Sequence, residues 1–105
     1  MPAAARAGGV DKVFSISGSG KNCSFPVQTT TGIGTCEVYI NGSKVVRGDD
    51  QVALHAYYGC GPDTSTMTEG SGTVFVGGKK IARIGDNYGP DNIIISGSTN
   101  VFIGG

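Results

Sequence analysis

The chain has 105 residues, with 19 glycines, no tryptophan, and eight basic side chains balanced by eight acidic ones for a formal net charge of zero. That length allows one domain, the interspersed charges exclude a nucleic-acid stripe or a basic membrane-binding face, and no run is long or apolar enough for a transmembrane helix. A domain this small buries only about 60–65% of the surface its unfolded chain exposes, and without tryptophan it has few large side chains for a core, so a metal, a disulfide or docking on a larger partner is expected to help hold it together.

Glycine stands well above its usual share of roughly 7%, and it falls at turn positions between short hydrophobic runs and not in one tract. In chain order those runs are Val13-Phe14, Val38 to Ile40, Val74 to Val76, Ile93 to Ile95 and Val101 to Ile103. Gly, Ser, Asn and Asp separate them and no segment sustains a helical period, so the expected fold is all-β. No signal peptide opens the chain, and cytosolic synthesis is expected. An odd count of three cysteines in a reducing compartment argues for inert or metal-bound thiols over a disulfide framework. The sequons at Asn22 and Asn41 are then not glycosylated.

At the N-terminus "MPAAARAGG" opens the chain, and it acquires meaning only from what repeats later. "EGSGTVFVGG" (Glu69 to Gly78) returns as "SGSTNVFIGG" (Ser96 to Gly105), and "CEVYING" supplies a looser copy in which Val38-Tyr39-Ile40 precedes Asn41-Gly42. Gly42 leads in five steps to Arg47, and Gly78 in five steps to Arg83. Counting from Gly105 into Pro2 gives the same five steps to Arg6, with Met1 removed. Three strand-turn units, near residues 38–42, 74–78 and 101–105, are therefore expected in one domain spanning residues 1–105. Residues 2–9 complete the third unit, so the two termini should adjoin.

With Pro2-Ala3-Ala4-Ala5-Arg6, Ala82-Arg83-Ile84-Gly85-Asp86 and three phased Gly-Ser-x-x-Val-Phe-type copies in view, the chain resembles the PAAR-repeat family over nearly its whole length. These are small proteins that cap the spike of contractile phage tails and type VI secretion systems. The resemblance implies a pointed, three-lobed β cone whose base sits on the C-terminal tip of a trimeric β-helical spike, one chain per trimer. It implies a mechanical role, sharpening and stabilising the tip as it is driven through a target-cell envelope, with no enzymatic activity and no stable membrane insertion. The expected location is the tip of a virion tail spike or of a secretion-system spike after synthesis in the host cytoplasm, with phage favoured by the compact length. The chain ends at Gly105, so any cargo is expected to be non-covalent.

The family's apex holds one structural transition-metal ion, zinc before iron, usually on histidine and cysteine. Here the resemblance points to His55, the single histidine, and to Cys60-Gly61-Pro62-Asp63, where Cys60 matches a ligand position and Asp63 replaces a histidine. Cys23 lies in the first long loop, where relatives have a ligand, whereas Asp86-Asn87-Tyr88-Gly89 lacks one. The plainer readings are a solvated His55, a turn-forming Asp63 after Pro62, and Cys36 as a small buried hydrophobe.

Two stretches mimic known motifs. "GSGKN" at residues 18–22 lacks the phosphate loop's Ser or Thr and its first glycine, and Arg47-Gly48-Asp49 is read as the repeat's Arg-x-Gly-Asp after loss of one residue. Catalysis has little to stand on, since His55 is the only group with an ordinary general-base pKa. The alternatives are a small Cys/His or metal-dependent hydrolase acting on cell-wall or peptide substrates, and an adhesin-like β module.

Overall fold

A computed structural model describes residues 2–15, 27–53, 65–89 and 92–104. Every regular element among them is a β-strand: β1 (Lys12–Ser15), β2 (Val27–Thr30), β3 (Tyr39–Ile40), β4 (Ser43–Lys44), β5 (Phe75–Val76), β6 (Lys79–Lys80), β7 (Asn87–Tyr88) and β8 (Asn92–Ile94). The expected all-β class is what the chain adopts. β3 and β4 form one hairpin, β5 and β6 a second, and β2-β1-β8-β7 a four-stranded antiparallel sheet.

The hairpins follow from their turn residues. Asn41-Gly42 and Gly77-Gly78 all take positive φ, 54° and 81° in the first pair and 59° and 81° in the second. That is the two-residue turn whose twist matches the strands it joins, and asparagine and glycine populate it at least cost. A third hairpin is assembled from the two ends of the chain: Ala3 pairs antiparallel with Phe102, and Ile103 N–H donates to Pro2 C=O at 2.8 Å. Among the described residues Val101 to Ile103 makes that single bridge and no longer strand.

Corresponding residues of the three units bond around a common axis. Ala5 N–H donates to Ala82 C=O (3.1 Å), Ala82 N–H to Val46 C=O (2.8 Å), and Val46 N–H to Ala5 C=O (3.2 Å), closing a triangle. All three residues are buried. Within each unit the return strand donates back to the first, as Val45 to Val38, Ile81 to Val74 and Ala4 to Val101. Between units, Ala7 donates to Lys44, Gly48 to Lys80 and Ile84 to Ala3. Cys36, Val45 and Ile81 form a core on the hairpin side, packed by Ile40, Val74, Val76 and Ile103. The larger core, including Ala5, Val13, Val46, Met67, Ala82, Tyr88 and Ile94, runs toward the four-stranded sheet.

A buried carboxylate locks the turn after each arginine. The Arg6, Arg47 and Arg83 N–H groups donate to Asp11 (2.6 Å), Asp50 (3.0 Å) and Asp86 (2.8 Å). The counterpart of Asp86 is thus Asp50. Arg47-Gly48-Asp49-Asp50 matches Arg83-Ile84-Gly85-Asp86 without any gap, which corrects the one-residue loss expected from Asp49. Asp49 stands where Gly85 stands, and both have positive φ, 70° and 91°, a conformation that aspartate tolerates better than most residues.

Tyr88 is fully buried, and its hydroxyl has no hydrogen-bond partner among the described residues. Burial first, then the nearby Asp50 and Asp11 charges, push its pKa far above the ordinary value of 10.0. An unfolded tyrosine ionises near that ordinary value while the folded one stays protonated. The unfolded chain therefore loses the proton first, and stability falls as pH rises above about 10. Tyr88→Phe is expected to be at least as stable as the wild type at pH 7, since it removes an unsatisfied buried group, and to flatten the alkaline loss. Denaturant midpoints from pH 7 to 11 check both.

Candidate functional site

The outer face of the three hairpins repeats one arrangement in each unit. Alternation along each strand turns Ile40, Val76 and Ile103 toward the hairpin-side core and leaves Tyr39, Phe75 and Phe102 pointing outward. Those aromatic side chains are 55%, 53% and 50% exposed. They occupy one position in each unit, the middle of the apolar-aromatic-apolar triplet, so they surround the axis in a set of three. With β3-β4 and β5-β6 each only two-stranded, the outer edges of β3 and β5 lack a strand partner among the described residues.

Interlocking contacts hold this face. Ser71 Oγ accepts the N–H of Thr73 (3.1 Å) and Val74 (3.0 Å) and donates to Gly104 C=O (2.7 Å). Ser98 Oγ accepts from Asn100 (3.2 Å) and Val101 (3.0 Å) and donates to Asn41 Oδ1 (2.6 Å). Each hydroxyl thus shapes its own unit's entry turn and ties it to the next. Around the rim Lys79 pairs with Asp49 (2.5 Å), and that ammonium group holds the Asp49 carboxyl below the usual carboxylate range. Such an exposed pair adds little to stability.

The four metal ligands expected from the sequence, Cys23, His55, Cys60 and Asp63, all lie outside the described residues. Among the described residues no group of three or more His, Cys, Asp or Glu side chains is placed to hold a metal ion. The His55 and Cys60 pair of the hydrolase alternative lies outside them as well. Cys36, the free cysteine among the described residues, is buried, with its Sγ 3.6 Å from Val45 O. No described helix is long and apolar enough to cross a membrane.

No protein-family model matches the chain. It is 34% identical over 86 residues to the NAD(P)(+) glycohydrolase toxin Tse6 of Pseudomonas aeruginosa strain PAO1, an alignment covering 74% of this chain. It is similar to the same extent, 34% over 86 residues, to the (p)ppApp synthetase toxin Tas1 of Pseudomonas aeruginosa strain UCBPP-PA14. The alignment takes in 20% of either toxin, so the chain spans about one fifth of the length of the curated relatives it matches. The chain is homologous to a part of two bacterial toxins.

Proposed function

We propose that the chain is a non-enzymatic tip that caps a trimeric β-helical spike, resembling the PAAR proteins in both architecture and role. The observation that carries this reading is the closed Ala5, Ala82, Val46 triangle with its three surrounding hairpins. One chain thereby offers a trimer three similar strand edges, each flanked by an exposed aromatic residue. A partner that adds its own strands would satisfy main-chain groups otherwise left at the edges. The two similar toxins carry different activities in their names yet match this chain equally well. That pattern suits a delivery module better than a catalytic one, and it favours a toxin-delivering secretion spike over a phage tail.

Mixing the full chain with the C-terminal fragment of its cognate spike should give a complex of one chain per three spike subunits by native mass spectrometry. Replacing Tyr39, Phe75 and Phe102 together by serine should weaken that complex strongly while leaving the monomer folded, since central aromatic anchors cost about 2 kcal/mol or more each when truncated. A three-to-three complex, or none with the correct spike, overturns the reading.

We also propose that Cys23, His55, Cys60 and Asp63 hold one structural zinc or iron ion. Such ligation joins segments distant in sequence, and its loss costs far more than a surface change. Elemental analysis of purified protein should return one transition metal per chain, and a chelator should lower the melting temperature. A metal-free preparation with an unmoved midpoint sinks this part of the proposal. The hydrolase alternative would require an activity that His55→Ala abolishes in a folded protein.

A further inference from the structure

The three lobes match at the axis but differ on their flanks. In the second lobe the Glu69 carboxylate accepts the N–H of Asn87 (3.0 Å), and in the third the Ser96 hydroxyl accepts the N–H of Lys12 (2.7 Å). Each of these caps sits one residue before a repeat glycine, Gly70 or Gly97. The residue before Gly34 is Ile33, which has no acceptor to offer. By the same geometry Ile33 faces Gln51, because Gly32 N–H donates to Gln51 C=O as Thr68 donates to Asn87 and Ile95 to Lys12. Among the described residues nothing accepts the Gln51 N–H.

Ile33 is also held away from the core. It is 83% exposed, yet its neighbours are pinned to the body. A Cβ on Gly32 would collide with Gln51 O, and one on Gly34 would lie 2.7 Å from Lys44 Cβ. Beside it opens a cavity of about 680 Å³, lined by Thr30, Thr35, Asp49, Asp50, Gln51 and Val52 among others. The buried Asp50 in that wall is the exception among its counterparts. Arg6 reaches Asp11 at 2.8 Å and Arg83 reaches Asp86 at 3.1 Å. Arg47 instead turns its Nε to Thr35 Oγ1 (3.2 Å) and another nitrogen to Val76 O (3.4 Å). Among the described residues Asp50 keeps only the Thr35 hydroxyl (2.5 Å) and the Arg47 N–H (3.0 Å) as donors to its carboxylate. The Arg47 guanidinium thus meets this buried carboxylate only through the shared Thr35 hydroxyl, where its counterparts pair directly.

We propose that this flank of the first lobe binds one extended segment of a partner polypeptide. A main-chain carbonyl of the segment accepts the Gln51 N–H, an apolar side chain packs on Ile33, and a lysine or arginine reaches Asp50 through the cavity. A main-chain carbonyl there would supply the acceptor that Glu69 and Ser96 give in the other two lobes, and a carboxylate that among the described residues meets its guanidinium only through Thr35 favours a basic segment. The site occurs once per chain, so it takes a single copy of its partner. It stands on these flank residues alone, independently of whether the hairpin face caps a spike.

The full chain, labelled with nitrogen-15, is titrated with a blocked synthetic peptide of alternating valine and lysine and with its glutamate counterpart. The lysine peptide should shift the Ile33, Gly34 and Gln51 amides and slow exchange at Gln51 about tenfold or more, while the glutamate peptide does neither. Ile33→Glu restores the cap that Glu69 provides in the second lobe. It should fold, protect the Gln51 amide without peptide, and weaken lysine-peptide binding about fivefold to tenfold, the loss expected when one neutral main-chain hydrogen bond is forfeited. Four results overturn the proposal: no response to the lysine peptide at millimolar concentration, equal binding by Ile33→Glu, equal binding of both peptides, or a dimer of the chain that Ile33→Glu dissolves. Competition by free lysine amide at the peptide's own concentration would reduce the site to a cation pocket and overturn it too.

Discussion

Asp11→Ala is expected to remove about 3 kcal/mol or more of folding free energy, the lower end of the range for breaking a buried ion pair from one side. Asp11 is fully buried, and its carboxylate collects four donors: Arg6 N–H (2.6 Å), Arg6 Nε (3.0 Å), Arg6 NH2 (2.8 Å) and the Ser96 hydroxyl (3.0 Å). Alanine would strand all of them beside the Ala5 triangle. The Arg6 guanidinium is 20% exposed and keeps a bond to Gly97 O, which tempers the loss. A domain of this kind has about 5–15 kcal/mol in total, so the variant should sit near the edge of folding. Asp11→Asn retains an acceptor for the main-chain N–H and should recover part of the difference. Asp49→Asn, which breaks only the exposed pair with Lys79 and keeps a residue type that tolerates the positive φ of 70° there, should leave the guanidinium chloride midpoint in place. Equal midpoints for Asp11→Ala and Asp49→Asn would mean that the carboxylate turns do not hold the ring.

The contrast between Asp11 and Asp49 also shows where the sequence is legible. The repeat can be read because a hairpin turn needs residues tolerant of positive φ, and Asn41-Gly42 and Gly77-Gly78 announce it. Val13-Phe14 and Ile93 to Ile95 mark β1 and β8 to within a residue or so, since apolar β-branched and aromatic residues suit a half-buried pleat. β7 is hidden. Asn87-Tyr88 has turn-like composition, and it is a strand only because β8 pairs with it across three residues of chain. β2 carries two threonines and little apolar content, and it forms by pairing with β1. The glycine before Asp49 makes that residue look like the buried carboxylate of the first complete unit. The side chain actually buried is Asp50, which spacing reveals only once Asp49 is allowed the positive φ of Gly85. The flank at Ile33 does carry a signal: Gly32-Ile33-Gly34 set against Thr68-Glu69-Gly70 and Ile95-Ser96-Gly97 shows an apolar residue at the position of two polar caps. The proposed ligands Cys23, His55, Cys60 and Asp63 rest on resemblance alone, since residues far apart in sequence carry no periodicity that would bring them together.

Gly70→Ala should destabilise the domain by roughly 2–3 kcal/mol, and for a reason unrelated to turn conformation. A Cβ there would lie 2.7 Å from Lys80 Cβ and 2.8 Å from the main-chain oxygen of Ile81, and the second contact is with backbone that cannot swing aside. Ile81 O is also the acceptor for Ser71 N–H at 2.9 Å. Making room therefore weakens the bond that seats the unit's entry turn on its own return strand. Gly34 and Gly97 meet the same obstacle, with contacts of 2.7 Å to Lys44 Cβ and 2.9 Å to Ala4 O. All three glycines let a chain segment lie flat under its hairpin, and overpacking such a contact costs about 1–3 kcal/mol, with about 1 kcal/mol more for the bond. Stiffening of the unfolded chain returns only about 0.4–1 kcal/mol. Gly78 makes the opposite case: it has a φ of 81° and nothing within 4 Å of the place a Cβ would take, so Gly78→Ala carries only the left-handed strain of about 1–2 kcal/mol. Chemical denaturation of the two variants separates close packing from turn geometry. A Gly78→Ala loss as large as that of Gly70→Ala would show that the repeat's glycines serve the turns, and that the seat beneath each hairpin is looser than these distances require.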